Sequence, residues 1–366
     1  MKEAGGLLAL RTFSRASVET IRGRGGIVLE KRLIETPLLD PRRRFQLVGQ
    51  RIELRRDPIT GLWTRINIER AIRFKETMAK PSEESLKREA SHAKCPFCSE
   101  KVEIATPKYP CTLIKEGRIK RGEAILFPNL HPFAKYHAVV TLSRDHFLEL
   151  HKLGEERLLD ALWVARYFYM IVREKEPEYR YLLINLNYLP PAGASIVHPH
   201  LQVVIEDHPT NLLALAEMKA REYSEKYRSN IIHDYISTER DLKERYLFGT
   251  EHSEWTASFA PLANGEVIGI IRDAFFRDMN EERLADVSHD LFKVISAYSK
   301  LFPQRGINMT LAYCADDMIL PHVRIVVRPN MSDRYVNDRG FMEVLHREVV
   351  VEMAPENVAL LLRKAL

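Results

Sequence analysis

Three polar residues stand two apart in His198-Pro199-His200-Leu201-Gln202, within a run otherwise rich in Val, Ile and Leu. Residues two apart on an extended strand share a face, so a strand over 196–205 presents His198, His200 and Gln202 together and turns Leu201 and Val203 away. Buried polar groups without partners are costly. The pattern therefore describes either a satisfied pair of core histidines or a chemical task. The turn just before it, Gly193-Ala194-Ser195, favours the task, because small side chains let backbone N–H groups and a hydroxyl approach an anion. A phosphate held there lies near His200, whose neutral imidazole can attack phosphorus and carry a nucleotidyl group covalently. Gln202 is then placed to donate its amide N–H to a non-bridging oxygen as charge develops.

A second cluster begins at Cys95-Pro96-Phe97-Cys98. Four cysteines in 366 residues are too few for a disulfide framework, so the CxxC reads as a metal or redox device of a reducing compartment, the cytoplasm. A closed zinc site needs four ligands, and His146 and His198 are the candidates to join Cys95 and Cys98. A redox dithiol is the alternative, but no thioredoxin-like pattern surrounds the motif. Arg70 and Arg73 carry guanidinium forks that match phosphate, although from spacing alone a solvated charged face is the better explanation. Asn129, in the loop Pro128-Asn129-Leu130, suits either contact with a base or ribose, or a plain turn.

The elements that must position these residues follow from periodicity. Alternating residues flank the turn Asp57-Pro58-Ile59-Thr60-Gly61 and predict a hairpin. Residues 78–94 are charged and helix-permissive, a linker ahead of the CxxC. Two strands over 124–141 lead to a helix expected to start near Ser143, with Leu158, Leu162, Ala165 and Tyr169 at helical spacing. A strand over 181–187, the small-residue turn and the HxHxQ strand complete the unit.

The second half echoes the first. Glu155-Glu156-Arg157-Leu158 returns as Glu281-Glu282-Arg283-Leu284, residues 142–147 return as 270–275, and the HxHxQ strand returns as His322-Val323-Arg324-Ile325-Val326. Ordered matches at a nearly constant offset predict two fused α+β units of one kind. The predicted boundaries are an N-terminal extension over 1–45, a catalytic unit over 46–206 and a second, degenerate unit over 207–366. In the second copy Ala274 stands for His146, Arg324 for His200 and Val326 for Gln202, and no CxxC precedes it.

Composition limits what such a protein can do. The chain is 45% hydrophobic and 29% charged, which excludes disorder and collagen-like sequence. No apolar run approaches the roughly 20 residues of a membrane span. The balance of 55 Lys+Arg against 50 Asp+Glu leaves +5, suited to small anionic ligands but without the basic stripe of a duplex-DNA binder. Arginines in the first 25 residues faintly suggest an organelle address, against which Glu3 and Glu19 argue, so the segment reads as a tail.

In order along the chain, the turn at Asp57 with Leu62 and Trp63, then Arg70 and Arg73, Cys95-Pro96-Phe97-Cys98, Phe127-Pro128-Asn129, Ser143-Arg144-Asp145-His146, Asn187, and residues 193–202 resemble the galactose-1-phosphate uridylyltransferase branch of the histidine-triad superfamily. The resemblance runs from about residue 50 to the C-terminus. It implies duplicated half-barrels, each an antiparallel sheet with flanking helices, commonly in a homodimer whose partner chain completes the sugar site. It implies a ping-pong reaction in which His200 attacks the α-phosphorus of a nucleotide sugar, releases a sugar phosphate, and passes UMP or a related group to a hexose 1-phosphate. A phosphorylase that uses inorganic phosphate on a nucleotide sugar or dinucleoside polyphosphate is the nearest alternative. By the same match Cys95, Cys98, His146 and His198 are structural zinc ligands. Gln202 and Ser195 contact phosphate; Arg70, Arg73, Asn129, Asn187 and the Gly193 turn contact nucleotide or phosphate; Glu343 falls in the sugar-recognising segment. His322 matches one ligand position of a second metal found in some members, but Arg324 and Cys314 stand where histidines are expected, so no iron is predicted. Val349 falls where a glutamine is expected, which leaves the sugar open.

Overall fold

The computed structural model describes residues 17–70, 95–272, 279–303, 306–315, 319–329 and 338–366. Strands β1 (Ser17–Arg22), β2 (Val28–Asp40), β3 (Gln46–Arg56) and β4 (Trp63–Ile66) form an antiparallel meander. Between β3 and β4 the Asp57 carboxylate accepts from the Ile59 N–H (3.1 Å) and the Thr60 hydroxyl (2.6 Å). Gly61 closes the turn at φ +77°, a left-handed conformation that favours glycine. This is the expected hairpin.

The expectation of an extension ahead of the folded body is corrected, because residues 17–40 form strands and β2 pairs with β3 along its length. The boundary placed at residue 45 falls at the tip of a β-ribbon. Period 2 is hard to read there because β2 has exposed or half-buried side chains on both faces, with Leu29 and Asp40 buried. Residues 1–16, and with them most of the suggested address, lie outside the described residues, as do Arg73, the linker 78–94 and the repeat positions 273–275.

Helix α1 (Val102–Ala105) precedes β5 (Ile119–Arg121), β6 (Ala124–Pro128), β7 (Tyr136–Thr141), α2 (Glu155–Lys175), β8 (Tyr181–Tyr188) and β9 (His200–Glu206). Two helices, α3 (Asn211–Tyr227) and α4 (Ile231–Leu242), lead to β10 (Tyr246–Gly249), β11 (Ser253–Ala257), β12 (Val267–Ile271), α5 (Glu281–Leu301), β13 (Ile307–Cys314) and β14 (His322–Val327). The chain ends in α6 (Phe341–Leu345), β15 (Val349–Val351), which adds in parallel beside β4, and α7 (Pro355–Ala365).

The second sheet has ten strands in the order β10-β11-β12-β14-β13-β8-β9-β7-β6-β5, all antiparallel. Each half supplies three strands, a 21-residue helix and two strands in the same chain order. The strand order is symmetric about the contact of β8 with β13, where Asn187 faces Asn308 and Asn185 faces Thr310.

Alternation sends one side of this sheet to the core. Leu182, Ile184 and Leu186 of β8, Leu201, Val203 and Ile205 of β9, Leu311 of β13 and Val323 and Ile325 of β14 pack with Leu158, Leu162, Ala165 and Tyr169 of α2 and Leu284, Leu291 and Tyr298 of α5. The helical spacing read from the sequence is thus the buried stripe of α2. On the other side, α3, α4 and residues of the small sheet cover Ile268 and Ile270 of β12. The polar residues of β8, β9 and β13 point to this second side.

Two local expectations change. The helix predicted from Ser143 starts at Glu155. The backbone at 142–143 is engaged elsewhere: the Leu142 N–H donates to the Pro199 carbonyl (3.0 Å) and the Ser143 carbonyl accepts from His198 Nε2 (2.9 Å). Gly154 then turns the chain at φ +81° into a first turn bearing Glu155 and Glu156, where acidic groups suit the helix dipole. Strand β9 begins at His200 and not at residue 196, so His198 lies just outside it.

Candidate active site and metal centre

The polar side of the ten-stranded sheet bounds a cavity of about 910 Å3, whose lining includes Asn185, Asn187, Gln202, Asn308, Thr310 and Arg324. That volume suits a nucleotide-sized ligand.

His200 opens β9 and is 8% exposed. Its Nδ1 lies 2.8 Å from the His198 carbonyl. A carbonyl only accepts, so Nδ1 carries the proton and Nε2 keeps its lone pair. Burial holds the imidazole below the ordinary histidine range, against the raising effect of that backbone bond. The neutral form is the nucleophilic one. Phe97 of the CxxC packs edge-on against His200, ring centroids 5.2 Å apart, and also meets His198 and Phe127.

Gln202 follows two residues along, and its Oε1 lies 3.0 Å from His137 Nε2. The same ring nitrogen is 3.1 Å from Asn129 Nδ2. His137 Nδ1 accepts from the Phe133 N–H, so Nε2 carries the proton and donates to Gln202 Oε1, and Asn129 only packs against the ring; burial lowers the His137 pKa, with the Gln202 bond acting the other way. The Asn129 Oδ1 accepts from the His131 N–H (2.9 Å). The residue is thus a turn former that packs against His137.

Cys95, Cys98, His146 and His198 are all buried, with one ligand atom of each within 4.8 Å of the others. Cys98 Sγ is 3.4 Å from His146 Nδ1 and 3.9 Å from His198 Nδ1. A tetrahedral zinc with ordinary bond lengths separates sulfur and nitrogen donors by about 3.6 Å. His198 donates from Nε2 to the Ser143 carbonyl, and burial pushes it down to about 4. Nδ1 is therefore unprotonated, as ligation requires. Burial, then the neighbouring Cys95, pushes the Cys98 thiol up to about 11, whereas a bound divalent cation deprotonates such a thiol outright. The donor set fits a metal ion.

The remaining expected residues are placed more variably. Gly193 takes φ +88° and is exposed on the turn with Ser195. Arg70 is 52% exposed, 4.0 Å from Glu352 at the cavity. Glu343 lines the cavity, but its two oxygens accept from the Gly340 N–H (2.8 Å) and the Val350 N–H (3.1 Å). It caps α6, a structural use that the sequence reading missed. In the second half Arg324 pairs with Glu266 (2.7 Å), Cys314 packs with Tyr181 and Ala312, and His322 Nδ1–H donates to the Leu320 carbonyl.

Sequence reasoning also missed Phe97 and His137. Phe97 is readable only as a CxxC spacer. His137 sits alone among apolar residues, and only the pairing of Val139 with Gln202 brings β7 beside the site.

No family model matches the sequence. An uncharacterized protein of Archaeoglobus fulgidus is 31% identical over 317 residues, covering 84% of this chain and 90% of that protein. The galactose-1-phosphate uridylyltransferase of Haemophilus influenzae is 26% identical over 166 residues, 45% of this chain and 47% of that enzyme. Among solved structures, an ADP-glucose phosphorylase from Arabidopsis thaliana with bound ADP-glucose has the same fold, with a TM-score of 0.67 at 18% identity over 86% of this chain and 99% of that one.

Proposed function

We propose that this chain, a member of the galactose-1-phosphate uridylyltransferase-like family, moves a nucleotidyl group between a nucleotide sugar and a second phosphate acceptor through His200. The observation that carries the reading is the Nδ1–H bond of His200 to the His198 carbonyl, which leaves Nε2 as a neutral nucleophile in a buried setting. Nε2 attacks the α-phosphorus, a P–N bond forms, and the P–O bond to the sugar phosphate breaks. The electron pair leaves with the sugar 1-phosphate. Gln202 lines the cavity two residues along the strand from His200, with its Oε1 turned to His137, so its amide N–H suits a non-bridging oxygen in the transition state. An acceptor phosphate oxygen then attacks the same phosphorus and frees His200.

The four-ligand cluster is read as a structural zinc site, which supplies folding energy and no step of the reaction. Cys95, Cys98, His146 and His198 would hold the ion. Through Phe97 and the His198 carbonyl the cluster positions the nucleophile on two sides.

A hexose 1-phosphate is the first acceptor to consider. Inorganic phosphate is a specific second reading, because Glu343, expected at the sugar, is spent on backbone N–H groups. We assign the protein to the cytoplasm on its few cysteines and their CxxC pattern. A homodimer is the expected assembly.

Isotope exchange tests the reading. Labelled glucose 1-phosphate should enter UDP-glucose or ADP-glucose without any other acceptor, since ping-pong transfer runs each half-reaction alone. Both readings share that exchange; phosphate-dependent release of UDP or ADP, with no transfer to a second hexose 1-phosphate, would select the phosphorylase reading. Absence of both reactions with every nucleotide sugar and dinucleoside polyphosphate would sink both.

A further inference from the structure

The second half carries Arg324 where the first carries His200, yet one of its side chains reaches the turn before His200 that is proposed to hold phosphate. Asn308 of β13 lies directly opposite Asn187 of β8. Its Nδ2 donates to Asn187 Oδ1 and to the Ala192 carbonyl, both at 2.8 Å. Its Oδ1 accepts from Arg328 Nη1 at 3.0 Å. The two acceptors on one side and the guanidinium on the other agree on the orientation of the Asn308 amide, which is how such an amide is assigned. Arg328 is itself fixed by Asp338, its Nε donating at 2.7 Å and its Nη2 bonding the other carboxylate oxygen.

The consequence falls on Asn187. With Oδ1 taken by Asn308, its Nδ2 is turned the other way, 3.9 Å from where a Cβ on Gly193 would stand. The amide donor therefore faces the turn 193–195. A close backbone approach supports the same contact: a Cβ on Gly306 would meet Ala192 N at 2.7 Å and the Pro191 Cβ at 3.0 Å, and the Arg328 N–H donates to the Gly306 carbonyl at 2.8 Å.

We propose that Asn308, held by Arg328 and Asp338, is a positioning residue for nucleotidyl transfer: it turns the Asn187 amide donor toward the phosphate-binding turn and anchors that turn through the Ala192 carbonyl. The inference rests on the cavity being a nucleotide site. It gives the degenerate half a direct part in the chemistry of the armed half, in place of scaffolding alone.

Asn308→Asp keeps shape and the Arg328 bond but removes the donor. Asn187 can then bond residue 308 only by turning over and presenting its oxygen to the phosphate. Covalent labelling of His200 by α-phosphate-labelled UDP-glucose and ADP-glucose should slow roughly 30-fold at saturating ligand, with the thermal midpoint close to wild type. In an Asn187→Ala background the same change should cost clearly less, about 3-fold to 10-fold, because only the anchor to the Ala192 carbonyl is left to lose. Asn308→Ala, which adds no charge, should also slow labelling and provides the test if the aspartate variant does not fold. Wild-type labelling in both variants, or an undiminished loss in the Asn187→Ala background, overturns the proposal. If the wild-type protein labels with no nucleotide sugar or dinucleoside polyphosphate, the functional reading fails on its own. The side-chain amide resonances of Asn187 then decide: a shift in Asn308→Asp supports the positioning bond, and unmoved resonances overturn it.

Discussion

His200, His198 and the CxxC form one device at the scale of single side chains. The His198 ring faces Cys98 while its carbonyl accepts the His200 proton. Phe97, between the two cysteines, packs on His200. Cys95→Ser should therefore abolish stoichiometric zinc and lower stability by several kcal/mol, since the free energy of metal binding is folding free energy. Metal analysis with a denaturant titration checks this; unchanged stability in a metal-free variant would speak against a structural site. His137→Ala should free the Gln202 amide oxygen and lower kcat on the order of 10-fold, with a smaller effect on thermal midpoint, as steady-state kinetics beside a melting curve would read. The cysteines and histidines were legible because ligand chemistry restricts residue type at each position. His137 was not, since its meaning depends on β7 lying beside β9, a contact between residues about 65 apart in sequence.

Elements show where periodicity is informative and where it fails. Helix α2 was legible in its buried stripe, since Leu158, Leu162, Ala165 and Tyr169 are all essentially inaccessible. Its start was not, because the preceding segment gives its backbone groups to Pro199 and His198, partners invisible in a local pattern. The same competition delays the start of β9 to His200. Strand β2 escaped because neither of its faces is clearly apolar. At the junction of β13 with the phosphate turn, Gly306→Ala should force backbone apart, the nearest atom being Ala192 N. A cost of about 1–3 kcal/mol is expected, together with slower turnover, and equilibrium unfolding with kinetics on the folded fraction would measure both. Wild-type stability and rate would mean that the two segments are less tightly joined than described.

Across the whole molecule, the two halves share one ten-stranded sheet and one core. Their matching element order is what an internal duplication would leave, and the sequence echoes at Glu155 and Glu281 fall at the starts of corresponding helices. The small sheet is tied on by a buried ionic cluster. Glu356 of α7 accepts from Arg55 of β3 and from Arg245, which also holds Glu239. The two guanidinium groups stand over the Phe259 ring. Burial raises the Glu356 carboxyl, but Arg55 and Arg245 overcome it and hold it at about 2, below its ordinary 4.5. A depressed carboxylate stabilises the fold fully above about pH 4.5, and that contribution is lost as pH falls through about 2. Glu356→Ala should cost about 3 kcal/mol at neutral pH, because it leaves two buried cations under-paired, and the deficit against wild type should shrink in acid. A deficit independent of pH would contradict this account.

The most direct measurement is intact-mass and peptide-mass analysis of the full-length protein after brief incubation with UDP-glucose or ADP-glucose and no acceptor. Addition of one nucleoside monophosphate, stable to base, labile to acid and located on His200, is the predicted result, with none on the His200→Gly variant. A nucleotidyl group on another residue, or turnover without any covalent species under conditions that trap one, would contradict nucleophilic catalysis by His200.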